Sequence, residues 1–587
     1  MVEAWIADDP DAGDRAELRA LLGRAFAGAH DATAAGSGMG PPAGGDAGPA
    51  DDGTRAMAEL RDRFGGRLEF GTAGLRGVVA AGPNRMNRAV VRAATSAVAG
   101  WLLGGSGPAG SEVSVVVGCD ARHRSAEFAD EAAGVLAGAG ITVHMFPLPG
   151  PTPLLAFAVR HLAASAGVMI TASHNPAADN GYKLYLSDGA QVIPPADAEI
   201  EARMASLGPL SQIPVADAGS PLITRHGDEV AGAYLDAVVG AAAGESGPAA
   251  GRPALSVVYT PMHGVAAGLM LRAIAGAGFA APHVVAAQAE PDPDFPTVAF
   301  PNPEEPGALD LALADARRLG ADLVVASDPD GDRLAVAVPE SGGGWRTLTG
   351  DQVGALLGAS LLERTARDTA PEDRLVASTI VSSTLLSKVA AAAGARYAET
   401  LTGFKWIARA ADGVPGARFV FGYEEALGYA VGDVVRDKDG IGAALAMLTL
   451  AAEAKEAGRS VLDVYDDLES AHGVHLTSQL TLRTADQATV MSRLRADPPA
   501  ELGGQPVTDL ADLATAPRAG MPAADVIIFR LPGTRVVLRP SGTEPKIKCY
   551  IEITEPLAGR SLAAAREAAA RRLAPLRSAL DAVLAGG

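Results

Sequence analysis

Short apolar runs, each followed by a polar turn that contains glycine, recur along most of the chain. The runs are rich in Val, Leu, Ile and Ala, and a stretch with helical spacing follows each turn. Continuous apolar runs bounded by turns are typical of buried strands. Strands that alternate with helices predict repeated α/β units. The clearest runs cover residues 113–117, 255–259, 323–326 and 419–421.

The pattern changes near the C terminus. Apolar and polar residues alternate along residues 546–553, and two further apolar runs, 526–531 and 535–538, precede them at short intervals. A period of two with one polar face predicts an antiparallel sheet. Residues 561–584 are rich in Ala, Leu and Arg and predict a helix that covers the apolar face. We therefore predict a separate α+β domain at this end.

The composition restricts the classes of partner. Hydrophobic residues make up 48% of the 587 residues, so a large core is possible. Lys and Arg number 49 against 69 Asp and Glu, which gives a formal net charge of -20. This charge repels nucleic acid and anionic membranes, and we predict that the protein binds neither. Two cysteines in so long a chain are typical of a reducing compartment, so we expect a cytoplasmic protein.

Residues 31–53 differ from the rest of the chain because Gly, Ala, Pro and Asp dominate them. Such a composition buries too little apolar surface to offset the entropy lost on ordering. We predict a mobile insertion here and assign it no role.

The first candidate for chemistry is Thr171-Ala172-Ser173-His174-Asn175-Pro176, which follows the apolar run at 166–170. Ser173 therefore lies just beyond a predicted strand end, where open α/β sheets keep their functional residues. A serine needs a neighbouring base, a metal ion or cationic groups to carry a phosphoryl group. His174, Lys183 and a distant carboxylate cluster could supply these.

That cluster is Asp328-Pro329-Asp330-Gly331-Asp332-Arg333, in which three carboxylates alternate. In a tight turn they can converge on one hard cation. A helix-loop-helix calcium loop would need Gly at its sixth and Glu at its twelfth position, where this chain has Arg333 and Pro339. An aspartyl-phosphate enzyme would normally have Thr or Val in place of Asp332. A solvated acidic turn seldom combines three acids with a following Arg, so we predict a metal loop.

The remaining candidates are ambiguous when each is taken alone. The segment Ser541-Gly542-Thr543 leaves backbone N–H groups and hydroxyls available to phosphate oxygens, and Arg539 offers a bidentate fork. Arg76 lies among glycines, Lys405 lies near a turn, and Glu424 precedes a second acid. Each of these is also compatible with an ordinary surface turn.

Taken together and in order, these segments resemble the α-D-phosphohexomutase family, which includes phosphoglucomutase and phosphomannomutase. The similarity extends from about Phe64 to Ile553. The segment around Ser173 resembles the family's phosphoserine loop, and the segment from Asp328 resembles its metal loop. Residues 422–428 are similar to the sugar-recognition loop and residues 539–545 to the phosphate-binding loop.

The resemblance implies three related mixed-sheet α/β domains plus a C-terminal α+β antiparallel-sheet domain around a central cleft. We expect the N-terminal extension and domain I over residues 1–225, domain II over 226–342, domain III over 343–475 and domain IV over 476–587. The four motif loops would meet at the floor of the cleft.

The resemblance also implies an enzyme that isomerises sugar phosphates, small molecules, through a hexose 1,6-bisphosphate that is both intermediate and activator. Ser173 would be phosphorylated and would bind Mg2+ together with Asp328, Asp330 and Asp332. The other catalytic residues would be His174, Lys183, Arg76 and Arg333. The substrate would be bound by Lys405, Glu424, Arg539, Ser541, Gly542, Thr543 and Lys546.

Glucose phosphates are the expected substrates, with mannose phosphates in addition. Many relatives carry a Ser where this chain has Ala426, and residues 64–70 and 82–87 resemble a branch with phosphopentomutase-like and glucose-1,6-bisphosphate synthase-like members. Those two activities are therefore alternatives. A catalytically inactive sugar-phosphate-binding protein is the alternative from another class, but a pure binder has no chemical need for Ser173, three metal carboxylates and Lys183.

Overall fold

A computed structural model of the protein describes residues 1–34, 52–70, 74–106, 112–243, 254–484, 486–518, 520–541 and 546–585. The chain divides into two compact units. The first comprises Met1–Val230 and Pro291–Pro301, and the second comprises Ala231–Glu290 and Asn302–Gly587.

The first unit begins with three helices, α1 (Val2–Asp8), α2 (Ala12–Ala34) and α3 (Asp52–Phe64). Apolar residues of α2 and α3, such as Leu21 and Leu60, pack into a small core of their own. The prediction of an insertion over 31–53 is therefore wrong at its edges, because residues 31–34 end α2 and residues 52–53 begin α3. Residues 35–51 lie outside the described part of the chain.

A mixed sheet forms the body of the first unit. Its strands are β1 (Leu75–Val78), β2 (Ser114–Cys119), β3 (Thr142–Met145), β4 (Ala166–Ile170), β5 (Asp179–Leu186) and β6 (Ile223–Arg225), in the order β1-β5-β4-β2-β3-β6. Strands β2, β3, β4 and β6 run parallel, whereas β5 is antiparallel to both β4 and β1. The helices that follow α3 are α4 (Arg88–Trp101), α5 (Ser125–Gly138), α6 (Thr152–His161) and α7 (Ala196–Ala205). The next helix, α8 (Glu229–Ala243), belongs to the second unit except for its first two residues.

The register between β2 and β4 decides which loops become neighbours. Cys119 at the end of β2 pairs with Ile170 at the end of β4. Since parallel strands end at the same edge of a sheet, the loop after Cys119 and the loop after Ile170 lie side by side. The loop with Ser173 therefore has the segment Asp120–Arg122 as its neighbour.

The second unit begins with another mixed sheet. Its strands are β7 (Val257–Thr260), β8 (His283–Val284), β9 (Leu323–Ser327), β10 (Leu334–Pro339) and β11 (Trp345–Thr347), in the order β11-β10-β9-β7-β8. The accompanying helices are α9 (Ala267–Gly276) and α10 (Asp310–Leu319). Strands β9 and β10 are antiparallel partners, with Ser327 opposite Leu334. The segment with the three aspartates is the connection between them.

A third sheet has strands β12 (Arg374–Thr379), β13 (Arg396–Thr400), β14 (Arg418–Glu424) and β15 (Gly428–Val431), in the order β13-β12-β14-β15. Its helices are α11 (Gly350–Thr365), α12 (Leu385–Ala392), α13 (Phe404–Ile407), α14 (Gly440–Glu456) and α15 (Val461–His472). The N-cap of α14 is Asp439, whose carboxylate accepts hydrogen bonds from the N–H groups of Ile441 and Gly442. This cap fixes where the helix begins, and it therefore also fixes the backbone position of the preceding residue, Lys438.

The fourth sheet is antiparallel throughout its described strands. Its strands are β16 (Val474–Arg483), β19 (Asp509–Asp512), β20 (Ile527–Leu531), β21 (Thr534–Pro540) and β22 (Lys546–Glu555), and β17 (Glu501–Leu502) and β18 (Gln505–Pro506) lie between β16 and β19 in the chain. The sheet order is β16-β22-β21-β20-β19, and β17 pairs with β18 apart from it. The helices are α16 (Gln487–Ala496) and α17 (Leu562–Ala585). The predicted fold class, with three mixed α/β sheets and a C-terminal antiparallel sheet, is confirmed.

The two faces of β22 are both covered. Apolar residues such as Cys549 and Ile551 pack against α17 residues such as Leu580, as the alternation predicts. On the other face Tyr550 and Glu552 are buried as well, at 5% and 4% exposure. Tyr550 packs with Ile380, Val381 and Leu401, which directly follow strands β12 and β13 of the third sheet. These two residues of the predicted polar face are therefore buried, because another α/β layer lies over them.

Candidate active site

The loop after β4 holds Ser173 in an unusual backbone conformation. Its φ is 52°, in the left-handed region, and its exposure is 2%. The hydroxyl oxygen of Thr171 accepts a hydrogen bond from the N–H of Ser173 at 2.9 Å, and the same hydroxyl donates to Asp120 Oδ2 at 2.6 Å. Non-glycine residues rarely adopt this conformation, and it persists where the surrounding structure enforces it. Hydrogen bonds to Thr171 and Asp120 therefore hold the turn that carries Ser173 in this conformation.

The side chain of Arg122 binds the backbone of the same loop. Its guanidinium donates hydrogen bonds to the backbone carbonyls of Ser173 at 2.6 Å, Asn175 at 2.5 Å, Pro176 at 2.7 Å and Asp179 at 3.2 Å. Asp120 Oδ2 lies 3.4 Å from Nε of the same arginine. Burial raises the pKa of Asp120, and the charge of Arg122 opposes that shift. A fixed fork of donors therefore defines the path of four residues of the loop.

Three residues predicted from the sequence lie at or beside this loop. His174 Nδ1 is 3.2 Å from the hydroxyl oxygen of Ser173. Arg76, on β1, donates from Nη1 to Asn175 Oδ1 at 3.1 Å. Lys183 is buried at 2% exposure on β5, where it pairs with Met169 of the strand that leads into the loop. The first unit therefore brings Ser173, His174 and Arg76 together and buries Lys183 on the adjoining strand.

A close backbone approach supports this arrangement. A Cβ atom on Gly181 would lie 2.6 Å from the carbonyl oxygen of Thr171 and 2.8 Å from that of Leu75. Real side chains do not tolerate such distances to backbone atoms, so β1, β5 and the Ser173 loop can meet here only at a glycine.

The predicted metal loop is buried in the second unit. Asp328, Asp330 and Asp332 are each 0% exposed, and one carboxylate oxygen of each lies within 4.8 Å of the others. Gly331 has a φ of 68°, which allows the tight turn that points alternate side chains the same way. Three buried carboxylates at such distances repel one another strongly. This set of hard oxygen donors fits a divalent cation such as Mg2+.

Two basic residues lie beside the metal loop. Lys438 Nζ is 3.3 Å from Asp332 Oδ2 and 3.3 Å from Asp437 Oδ1. Burial alone would lower the pKa of Lys438, yet those carboxylates raise it above its ordinary value. Arg333 Nη1 is 3.3 Å from Glu304 Oε2. Burial also opposes the charged form of Arg333, but Glu304 and the loop carboxylates outweigh it and raise its pKa.

The predicted sugar-recognition residues adjoin the metal loop through Lys438 and Arg333. Glu424 ends β14, and Gly428, which starts β15, forms a backbone bridge with Arg333. Burial raises the pKa of Glu424, and the charge of Lys438 opposes that shift. Lys405 is buried at 7% exposure in α13, beside Phe404, whose ring lies 5.6 Å from Lys438 Nζ. The second unit therefore brings the metal loop, Glu424 and α13 into one charged region.

The predicted phosphate-binding residues occupy the ends of β21 and β22. Arg539 donates from Nη2 to the hydroxyl of Tyr550 at 3.1 Å. The N–H of Ser541 donates to the carbonyl of Lys546 at 2.8 Å, which closes the loop between the strands. Gly542 and Thr543 lie outside the described residues. Lys548 pairs with Arg539 across β21 and β22, and burial together with the neighbouring charge of Arg539 lowers its pKa.

Sequence reasoning missed several residues of these two sites. Asp120 and Arg122 follow an apolar run in a Gly-Cys-Asp-Ala-Arg turn, and that polar turn after a predicted strand was the available signal. The parallel pairing of β2 with β4, which places the turn beside the Ser173 loop, is visible only in the structure. Glu304 and Lys438 had no comparable local signal. Lys438 lies 106 positions after Asp332 in numbering and meets it only in the folded chain.

Comparison with known proteins assigns the family. The four successive domains described as phosphoglucomutase/phosphomannomutase alpha/beta/alpha domains I, II and III and C-terminal domain match residues 67–209, 233–343, 349–471 and 503–569. The chain belongs to the phosphoglucomutase/phosphomannomutase family. The resemblance inferred from the motifs is therefore confirmed, and the protein is an intramolecular phosphotransferase.

Individual relatives cover most of the chain. A Haemophilus influenzae protein named "Probable phosphomannomutase" is 40% identical over 80% of this chain and 93% of its own length. The Homo sapiens phosphopentomutase is 35% identical over 85% of this chain and 87% of its own. A phosphoglucomutase/phosphomannomutase family protein of known structure from Burkholderia thailandensis shares the fold, with a TM-score of 0.65 and 20% identity over 88% of this chain and 97% of its own.

Across the described ranges, no helix is both long enough and apolar enough to cross a bilayer.

Proposed function

We propose that the protein interconverts hexose 1-phosphates and hexose 6-phosphates, of glucose and also of mannose, through phospho-Ser173 and a hexose 1,6-bisphosphate. The observation that carries the proposal is the constrained loop at Ser173, with His174 Nδ1 3.2 Å from the serine hydroxyl. The family assignment and the buried aspartate triad support it. The names of the family and of the relative from Haemophilus influenzae support glucose and mannose as the sugars.

In the first half-reaction a sugar hydroxyl attacks the phosphorus of phospho-Ser173. The new P–O bond forms to the sugar while the bond to the serine oxygen breaks. Lys183 or His174 takes the proton of the attacking hydroxyl, and a proton returns to the departing serine oxygen. The bisphosphate then reorients in the site, and Ser173 receives the other phosphate by the reverse steps. Isomerisation results without net transfer to water.

The charge of the reacting groups must be balanced in the site. Mg2+ bound to Asp328, Asp330, Asp332 and phospho-Ser173 would withdraw charge from the phosphoryl group. Arg76 and Arg333 would neutralise the remaining negative charge of the phosphoryl groups. Two groups of residues bind the parts of the substrate that do not react. Lys405 and Glu424 bind the sugar. The phosphate that is not transferred is bound by Arg539, Ser541, Gly542, Thr543 and Lys546.

We further propose that domain boundaries lie after residues 225, 342 and 475. Each of the four resulting segments carries the strands of its own sheet with two exceptions: β11 (Trp345–Thr347) of the second sheet falls in the third segment, and so do the first two residues of β16. The motif loop of each segment then contributes one function: phosphoserine, metal, sugar recognition or phosphate binding.

One rival activity has support of its own. The phosphopentomutase of Homo sapiens is 35% identical to this chain, and Ala426 stands where a serine would offer a hydroxyl to the sugar. A pentose has fewer hydroxyl groups to bind, so a phosphopentomutase activity is the second candidate. A glucose-1,6-bisphosphate synthase would share the same first half-reaction.

The test combines mass spectrometry with a coupled assay. Intact mass is measured for the wild type and Ser173→Ala, before and after incubation with glucose 1,6-bisphosphate and Mg2+. We expect one phosphate on Ser173 in the wild type, none in the variant, and loss of turnover in the variant without a change in melting temperature. Rates with glucose 1-phosphate, mannose 1-phosphate and ribose 1-phosphate then rank the sugars. A wild type without phosphate on Ser173 under both conditions would refute the proposal.

A further inference from the structure

A short segment of the chain, residues 291–301, leaves the second unit and packs with the first. By sequence it lies inside the range that matches domain II of the family. Within it, the ring of Phe295 lies over the guanidinium of Arg122, with 4.9 Å between Cζ and the ring centroid. Phe295 is 3% exposed. The segment therefore contributes a buried aromatic face to the arginine that organises the Ser173 loop.

The geometry uses both aspects of the guanidinium. In its plane, Arg122 donates to the carbonyls of Ser173, Asn175, Pro176 and Asp179. Its flat face has no N–H to direct at a partner, is weakly hydrated and is attracted to an aromatic ring. Phe295 covers that face. The N–H groups in the plane of the guanidinium stay available to the loop carbonyls.

The backbone at Phe295 supports a specific role. Its φ is 47°, in the left-handed region, which is a rare conformation for a bulky residue. Local contacts hold it there, because the N–H of Phe295 donates to the carbonyl of Asp292 at 3.2 Å and the N–H of Val298 donates to the carbonyl of Phe295 at 3.1 Å. Such conformations persist where the surroundings enforce them and cluster at functional sites.

A second contact of the segment is more exposed. Asp294 Oδ1 lies 2.7 Å from His123 Nε2, and both side chains face solvent. Exposed pairs of this kind add little to positioning. The buried ring of Phe295, which lies over Arg122, is therefore the contact of the segment that we consider further.

We propose that Phe295 is a positioning residue for phosphoryl transfer at Ser173 and that it acts through Arg122. The inference rests on the proposed function, because it assumes that Ser173 carries the phosphoryl group. Phe295 touches no reacting atom. By fixing the orientation of the guanidinium, it keeps the four loop carbonyls, and with them the serine hydroxyl, in one arrangement.

The experiment compares full-length Phe295→Leu with the wild type, with Phe295→Tyr, which keeps the aromatic ring, and with a matched control, Phe26→Leu. Phe26 is 55% exposed on α2. Three quantities are measured: kcat and KM, the rate of Ser173 phosphorylation by glucose 1,6-bisphosphate, and amide hydrogen exchange over residues 171–180. Melting temperatures identify any variant that fails to fold.

We expect Phe295→Leu to lower kcat and the phosphorylation rate about tenfold, since small displacements of reacting groups are costly. KM should stay within about twofold, because substrate contacts are unchanged. Exchange over 171–180 should accelerate. Phe295→Tyr should restore all three quantities towards the wild type, and Phe26→Leu should change none.

A double-mutant cycle tests the path through Arg122. In an Arg122→Lys background, which lacks the fork of donors, Phe295→Leu should have no further effect on kcat. Full additivity in the cycle, an unchanged kcat in Phe295→Leu, or a loss that appears only in KM would each overturn the inference. A wild type that never carries phosphate on Ser173 would instead overturn the proposed function, and unchanged exchange over 171–180 would overturn the inference independently of it.

Discussion

Glu552 offers a sharp test of the reasoning about buried charge. It lies on β22, and its Oε1 accepts hydrogen bonds from the Ser383 hydroxyl at 2.9 Å and the Thr384 N–H at 2.6 Å. His475 Nδ1 lies 2.9 Å from the same oxygen, and Arg535 Nη2 lies 3.1 Å from Oε2. Burial alone would raise the pKa of Glu552, but His475 and Arg535 lower it from 4.5 to about 2.

The size of the effect follows from that shift. A folded-state pKa of about 2 against 4.5 in the unfolded chain is worth about 3 kcal/mol of folding free energy. Because the pKa is depressed, this stability is fully present above the unfolded value and is lost as the pH falls through the folded value. Linkage leaves roughly 1 kcal/mol of it at pH 3.

The perturbation is Glu552→Gln, which removes the charge and nearly keeps the shape. Urea unfolding followed by far-UV circular dichroism gives the free energy of unfolding for the wild type and the variant. We expect a destabilisation of about 3 kcal/mol at pH 7 that shrinks by about 2 kcal/mol at pH 3. The matched control is Glu567→Gln on α17, whose side chain is 73% exposed. It should change the free energy by less than about 0.5 kcal/mol at either pH.

The result that would refute this reasoning is a destabilisation that does not depend on pH. It would mean that Glu552→Gln acts by disturbing packing against Ser383 and Thr384, and that the carboxylate is not preferentially ionised in the folded protein. A destabilisation in Glu567→Gln as large as that in Glu552→Gln would show that loss of a carboxylate charge destabilises the protein without burial, and it would also refute the reasoning.

Two further predictions concern the charged sites. Lys438→Met removes the ammonium that lies 3.3 Å from Asp332, and it should lower the free energy of unfolding by about 3 to 5 kcal/mol. Mg2+ should then raise the melting temperature of the variant more than that of the wild type. Equal increases in the two proteins would contradict the prediction. Arg539→Ala should raise KM for the sugar phosphate by about tenfold or more with a smaller change in kcat, since it removes a charged phosphate contact; a fall in kcat alone would place Arg539 in another role.

Local patterns determined much of the fold. The apolar run at 166–170 coincides with β4, and the alternation over 546–553 lies within β22. The three aspartates at alternate positions around Gly331 converge as expected. These features depend on neighbours within a few residues, so spacing and residue type alone carry the information. The order of the motifs then indicated the family, which the comparisons confirm.

The tertiary structure alone decided which distant residues complete each site. Arg122 reaches the Ser173 loop because β2 pairs in parallel with β4, and Phe295 reaches Arg122 from a segment more than a hundred residues further along. Lys438 meets Asp332, and Glu552 is buried against Ser383, through packing between separate sheets. No local period encodes such contacts. They arise because buried charges and donors must find partners, and the partner is whichever residue the packing of the sheets places within reach.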